Sequence, residues 1–93
     1  MHMFKRIHLL ISGNVQGVSY RINSRNKAEE FYLTGWVKNI SDGKVEIMAE
    51  GKEKDLKEFI KWCYGGSDNA VVSEMKVKWE EYEKKFDKFE ILV

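Results

Sequence analysis

Between residues 13 and 21 the sequence reads GNVQGVSYR, with two glycines bracketing a short stretch that runs from an apolar segment toward Arg21. Such a turn can point several backbone N–H groups at one anion. Where it also opens a helix, the unpaired donors of the first helical turn and the helix dipole favour a phosphate at the same place. Arg21 adds a planar guanidinium whose five donors can grip two oxygens of one phosphate. Each residue also has a plainer explanation. Gly13 and Gly17 permit positive φ in a strand-to-helix turn, and Arg21 can serve as a surface ion-pair partner. The combination, rather than any member of it, points to anion chemistry.

The segment GNVQGVSYR, followed by LTGWVKNISDGKVEI at residues 33–47, resembles the acylphosphatase family, whose pattern runs G-x-VQGV-x-[FY]-R and then GW-V-x-N-x-x-DG-x-V. The resemblance covers nearly the whole chain, to the closing FDKFEIL. It implies a small enzyme, without cofactor or metal, that hydrolyses the carboxyl-phosphate bond of acyl phosphates to carboxylate and inorganic phosphate. Arg21 and Asn39 match the family's two catalytic positions. By the same resemblance the backbone amides of Val15, Gln16, Gly17, Val18, Ser19 and Tyr20, with the Arg21 guanidinium, hold the phosphate, while Asn39 positions the attacking water. Gly13 is expected to shape the turn. Inorganic phosphate is expected as product and competitive inhibitor. Ser19 stands where many members have glycine and Tyr20 where most have phenylalanine. Serine is expected to fit, its hydroxyl adding a donor, and the Tyr20 ring to pack with its hydroxyl on water or a polar neighbour.

Composition bounds the rest. The 93 residues suit one domain, expected over 1–93, with room for one core shared by two layers. A hydrophobic share of 43% beside 33% charged residues is that of a globular chain, not a disordered one. Sixteen basic and fifteen acidic side chains leave a formal charge of +1, no footprint for nucleic acid or an anionic membrane. The lone Cys63 excludes an intrachain disulfide and suits a reducing compartment. With no signal-peptide pattern and no apolar run of spanning length, a cytoplasmic monomer is expected.

The elements that must position these residues follow from periodicity. From Lys5 to Ser12, Ile7, Leu9 and Ile11 alternate with Arg6, His8 and Leu10 as in a strand with one buried face, His8 falling on the solvated side. Arg21–Leu33 reads as a helix with a stripe of Ser24, Ala28 and Phe31, Ile22 and Tyr32 nearby, stopped at Thr34-Gly35 with glycine as C-terminal cap. Trp36–Ile40 and Lys44–Glu50 form a hairpin through Ser41-Asp42-Gly43, with Val45, Ile47 and Ala49 buried. Asn39, just before that turn, is on its own simply a turn-favouring asparagine. A second helix after Gly51 carries Leu56, Phe59, Ile60 and Cys63 on one stripe. That spacing makes Cys63 a buried hydrophobe rather than a nucleophile. Tyr64–Asn69 reads as a loop, without the proline the family usually has there. Val71, Met75, Val77 and Trp79 mark a long strand, Glu80–Lys85 a solvated link, and Phe89, Ile91 and Val93 a last strand.

The order gives an α+β fold, a ferredoxin-like α/β sandwich with two helices on one face of a five-stranded, mainly antiparallel sheet (βαββαβ plus a C-terminal strand). Right-handed crossovers set the first and third strands side by side in its middle. No phosphate-loop lysine motif, metal-ligand spacing, or Ser-His or Cys-His pairing argues for a different chemistry. The main alternative is a non-catalytic phosphate- or anion-binding or regulatory module of the same fold. An RNA-binding module would need stacking aromatics on the central strands, and Ile7–Ile11 and Lys44–Glu50 have none. A carbamoyl-phosphate-handling domain of the type fused to larger maturation enzymes uses a similar motif. With no further domain to receive its product, a stand-alone hydrolase acting on a small-molecule acyl phosphate is expected.

Overall fold

In the computed structural model, which describes residues 3–65 and 69–93, the chain runs β1 (Phe4–Asn14), α1 (Tyr20–Glu30), β2 (Thr34–Asn39), β3 (Val45–Lys52), α2 (Glu53–Gly65), β4 (Val71–Glu81) and β5 (Phe89–Ile91). Among the described residues these strands form a five-stranded sheet in the order β4-β1-β3-β2-β5. β1 is antiparallel to both β3 and β4, and β2 to β3; only β5 lies parallel to its neighbour, β2. The central placement of β1 and β3 is the one right-handed crossovers require, and the architecture is the ferredoxin-like sandwich expected from the element order.

One face of the sheet makes the core. Ile7, Leu9 and Ile11 of β1, Val45, Ile47 and Ala49 of β3, and Val37 of β2 are fully buried against Ala28 of α1 and Leu56, Phe59 and Cys63 of α2. The period-two and period-3.6 patterns meet there, each supplying one apolar face. Ile60 is only partly buried at the edge of that contact.

α1 departs from its expected form. It ends at Glu30, and the stop comes from Tyr32, which takes a left-handed φ of 58°. The Leu33 N–H then bonds to the Ala28 carbonyl and the Tyr32 N–H to that of Glu29, the paired bonds of a Schellman ending. Gly35 is not the cap but lies inside β2, where a Cβ would collide with the Met48 carbonyl across the ladder. Ile22 and Tyr32 are exposed rather than part of a stripe, and beyond Tyr20 at its start the helix meets the core through the small residues Ser24 and Ala28.

The other sheet face holds a charged cluster that alternation alone places in solvent. Glu50 is 1% exposed and Arg6 5%. The Glu50 carboxylate accepts the N–H groups of Glu83 and Lys85 at 2.8 and 2.9 Å, and the Arg6 Nε lies 3.3 Å away. Arg6 Nη1 donates to Glu83 at 2.9 Å, and its guanidinium sits 5.4 Å from the centre of the Phe86 ring. The segment read as a solvated link therefore begins as strand, since β4 runs to Glu81, and continues as a strap tied down through its backbone. On the same face His8 meets Glu46 at 2.6 Å. Tyr64 and Gly65 belong to α2, Gly66–Asp68 of the expected loop lie outside the described residues, and Val93 falls beyond β5.

Candidate active site

The site is built where β1 ends. Between Ser12 and Gly13 the β1–β4 register shifts by a bulge, and Gly13, with φ 135°, lets the Val71 carbonyl approach where any side chain would block it. Gly13 thus works inside the strand, one step before the turn it was expected to shape. Val15 turns back into the core, 1% exposed, and Val18 packs against it. Gly17 and Ser19 stand between and after them on the outside, both left-handed, with φ 74° and 63°. Two inward anchors alternating with two positive-φ residues fold the chain into a tight loop.

Both ends of this loop are pinned. Tyr20 opens α1 with its ring buried 5.9 Å from that of Trp62, and its hydroxyl donates at 2.7 Å to the carbonyl of Cys63, in the last turn of α2. Burial pushes the pKa of the Tyr20 hydroxyl well above its ordinary value, and desolvation does the same for the Cys63 thiol, so both stay neutral and neither is poised for proton transfer or attack. Gln16 reaches the other way. Its side-chain amide donates to the carbonyls of Ile40 at 2.9 Å and Lys44 at 2.8 Å, stitching the loop to the β2–β3 hairpin. Ile40 N–H closes that hairpin on the Lys44 carbonyl, and Asp42 and Gly43 between them take φ of 65° and 75°.

Asn39, the last residue of β2, is carried by this hairpin to the loop. Val15, Gly17, Ser19, Tyr20, Arg21, Ile22 and Asn39 together line a cavity of about 240 Å³. Its one formal charge is Arg21, whose guanidinium makes no hydrogen bond or ion pair among the described residues. The Asn39 Oδ1 is itself buried, with no hydrogen-bond partner among the described residues. The first helical bond of α1 runs from Asn23 N–H to the Ser19 carbonyl, and residues 16–19 donate none of their N–H groups to the backbone among the described residues. The cavity therefore sets a cation and a side-chain amide beside a loop whose amides at 16–19 are unpaired in the backbone, groups of the kind that bind an oxyanion. A wider groove of about 420 Å³ at the opposite end of β1 is lined by Lys5, Glu53, Lys57, Trp79, Glu80 and Glu81. Three carboxylates against two ammonium groups make it repel an anion.

A family model described as Acylphosphatase matches residues 7–91. The chain belongs to the acylphosphatase family. It is 54% identical over 70 residues, 75% of this chain and 76% of the other, to an acylphosphatase of Marinobacter nauticus. The solved acylphosphatase of Bacillus subtilis superposes with a TM-score of 0.92 at 34% identity, covering 98% of this chain and all of that one. A full-length HypF in the phosphate- and nucleotide-bound form matches with a TM-score of 0.90 at 32% identity, over all of this chain but 12% of that one. Membership of the acylphosphatase family makes the chain an enzyme, a hydrolase.

Of the residues singled out in the sequence, Val15, Gly17, Ser19, Tyr20, Arg21 and Asn39 line the cavity. Val18 faces the core, and the Gln16 side chain is engaged with the hairpin. Ser19 contributes no side-chain cap to α1. Ile22 lines the cavity without having been marked, because apolar periodicity assigned it to a buried stripe.

Proposed function

We propose that this acylphosphatase-family chain hydrolyses acyl phosphates by holding the phosphate in the 15–20 loop and aiming a water at phosphorus. The observation that supports this most is that Arg21 and Asn39, from separate segments, line one cavity with Val15, Gly17, Ser19 and Tyr20 of the loop. Water attacks phosphorus, the bond from phosphorus to the bridging oxygen breaks, and the electron pair leaves on the carboxylate. A carboxylate and dihydrogen phosphate result, the latter shedding a proton to solvent according to pH. The carboxylate is a good leaving group, so orientation and charge stabilisation suffice.

Arg21 grips two phosphate oxygens, the loop amides take the others, and the Asn39 carboxamide positions the attacking water. The lining offers no carboxylate, imidazole or thiolate to hold a metal, so stabilisation of the developing charge falls to the guanidinium and the amides. Inorganic phosphate, the product, competes for the same cup. The reading carries with it a monomer in a reducing, cytoplasmic setting.

The test is hydrolysis of benzoyl phosphate in the presence of a chelator, beside phenyl phosphate as a monoester control. Turnover of the acyl phosphate alone, inhibited by added inorganic phosphate, is expected. Equal hydrolysis of the monoester, or loss of turnover with chelator, overturns the assignment. Phosphate binding without turnover would favour the anion-binding alternative.

A further inference from the structure

The first turn of α1 supplies Arg21 to the cavity, yet little of what usually fixes a helix start is present there. Ser19, in the cap position, is left-handed and makes no side-chain cap bond, and no acidic residue stands in the first turn. Arg21 and Asn23 are half-buried and Ile22 is exposed. Tyr20 is thus the one residue of that turn set into the core. Two contacts hold it. Its ring lies against that of Trp62 with 24° between their planes, an apolar contact that has no direction of its own. Its hydroxyl donates to the Cys63 carbonyl at 2.7 Å, a buried bond that fixes both distance and direction.

We infer that the Tyr20 hydroxyl is a positioning group for phosphate binding: by bonding the C-terminal end of α2 it sets where the first turn of α1 begins, and with it the place of Arg21. This rests on the function proposed above. Tyr20 and Arg21 are joined by one planar peptide, so any displacement of the first is passed to the second. Without the hydroxyl the helix start samples positions beside the one that holds phosphate. The apparent affinity then falls with the fraction of molecules left in the competent position. That fall is bounded by the worth of a single buried hydrogen bond, about threefold to tenfold. Turnover at saturation changes less, because the bound phosphoryl group selects the competent position before the chemistry begins.

The experiment combines calorimetric titration with inorganic phosphate and steady-state kinetics with benzoyl phosphate, on the unmutated protein, Tyr20→Phe and Glu50→Gln. Tyr20→Phe keeps the ring and removes the bond. It is expected to weaken phosphate binding and raise KM, each by about threefold to tenfold, with kcat held within about twofold. Glu50→Gln loosens the opposite face of the sheet and should leave phosphate affinity as it was, which separates positioning from mere loss of stability. A phosphate affinity in Tyr20→Phe within about twofold of the unmutated value overturns the inference. Equal weakening in Glu50→Gln overturns it too, because affinity would then follow overall stability. A fall in kcat with KM and phosphate affinity unmoved would tie the hydroxyl to the chemical step instead, and is a third refutation. Failure of the unmutated protein to bind phosphate or to turn over benzoyl phosphate would bring down the function on which the inference stands.

Discussion

The side-chain amide of Gln16 donates to the Lys44 carbonyl at 2.8 Å, and the same nitrogen reaches the Ile40 carbonyl at 2.9 Å. The two acceptors flank the turn that follows Asn39. The glycine loop and the hairpin, far apart in sequence, are thereby held in one frame. Gln16→Leu keeps the size of the side chain and removes both donors. We expect it to destabilise the fold by about 1–2 kcal/mol and to lower kcat about tenfold or more, because small misplacement of an orienting group is expensive. Inhibition by inorganic phosphate should change less than kcat. Unaltered kcat in a variant shown by denaturation to be less stable would reduce Gln16 to a purely structural tie.

Arg21 and Asn39 should separate in kinetics. On the proposed mechanism Arg21→Ala removes two charge-assisted bonds and should cost at least the roughly 2.7–4 kcal/mol seen for one oxyanion donor, on the order of a hundredfold to a thousandfold in rate. Arg21→Lys should not recover it, since a point charge does not reproduce the fork. Asn39→Ala should lower kcat more than it weakens phosphate inhibition, because in that mechanism it touches the water and not the anion. Steady-state kinetics with phosphate as inhibitor distinguishes the two, and wild-type turnover by Arg21→Ala would refute the site.

Ser19 sits at φ 63° and ψ 19° with no side-chain cap bond to offset that conformation. A left-handed non-glycine residue costs roughly 1–2 kcal/mol, part of which glycine gives back through the entropy of its unfolded chain. Ser19→Gly should therefore stabilise by about 0.5–1 kcal/mol and raise Tm by about 2–8 °C in a domain of this size. Calorimetry showing a lower Tm would mean that the hydroxyl makes a contact of real value.

Glu50 tests the strap. Its buried carboxylate serves two backbone N–H groups and Arg6. Glu50→Ala removes the innermost partner of Arg6, which keeps Glu83, and frees two backbone donors, a loss of about 1.5–3 kcal/mol. Glu50→Gln retains an acceptor and should lose clearly less. Urea denaturation of both variants is the check, and equal losses would show that charge, not hydrogen bonding, holds the segment.

Stability should fall on the alkaline side. Cys63 and Tyr20 both have folded pKa values raised by burial above their ordinary 9.0 and 10.0. Above those ordinary values the unfolded chain sheds protons that the folded chain keeps, so it binds fewer protons and the stability slope with pH is negative. The contribution is complete below about pH 8, an order of magnitude in proton activity under the lower ordinary pKa, and declines above it. Cys63→Ala, though less stable overall, should move the onset upward by leaving only Tyr20 to titrate. An onset unchanged by that substitution would trace the alkaline loss to other groups.

The strands were legible because alternation, an Asp-Gly turn and short connections leave few ways to order them, and crossover handedness then brings β1 beside β3. The gathering of Arg21 with Asn39 was legible only through two motifs read together, since each residue alone has a local excuse. Other features gave no one-dimensional signal. α1 packs through Ser24 and Ala28, too small to make a strong apolar period, so its end was misplaced and Ile22 was turned inward. Gly35 looked like a cap because a glycine after a helix usually is one, whereas here a carbonyl from the adjacent strand needs its empty side. Glu50 alternates as a solvent-facing residue; that the chain returns over it 33 to 35 positions later is a fact of tertiary geometry. Gln16 sits in a motif read for its backbone, and its side chain works elsewhere.

β1 is bonded on both flanks by strands that follow much later, Lys5 facing Gly51 on one side and Glu81 on the other. Order in time therefore runs against order in sequence. The first-written strand waits for two distant partners, each requiring a long loop to close before any ladder bond rewards it. The cup at the end of β1 inherits that delay, because its bulge at Gly13 is shaped by the approach of Val71. Competence for catalysis should consequently emerge late in refolding, with the arrival of β4, rather than with the nearby glycine turn.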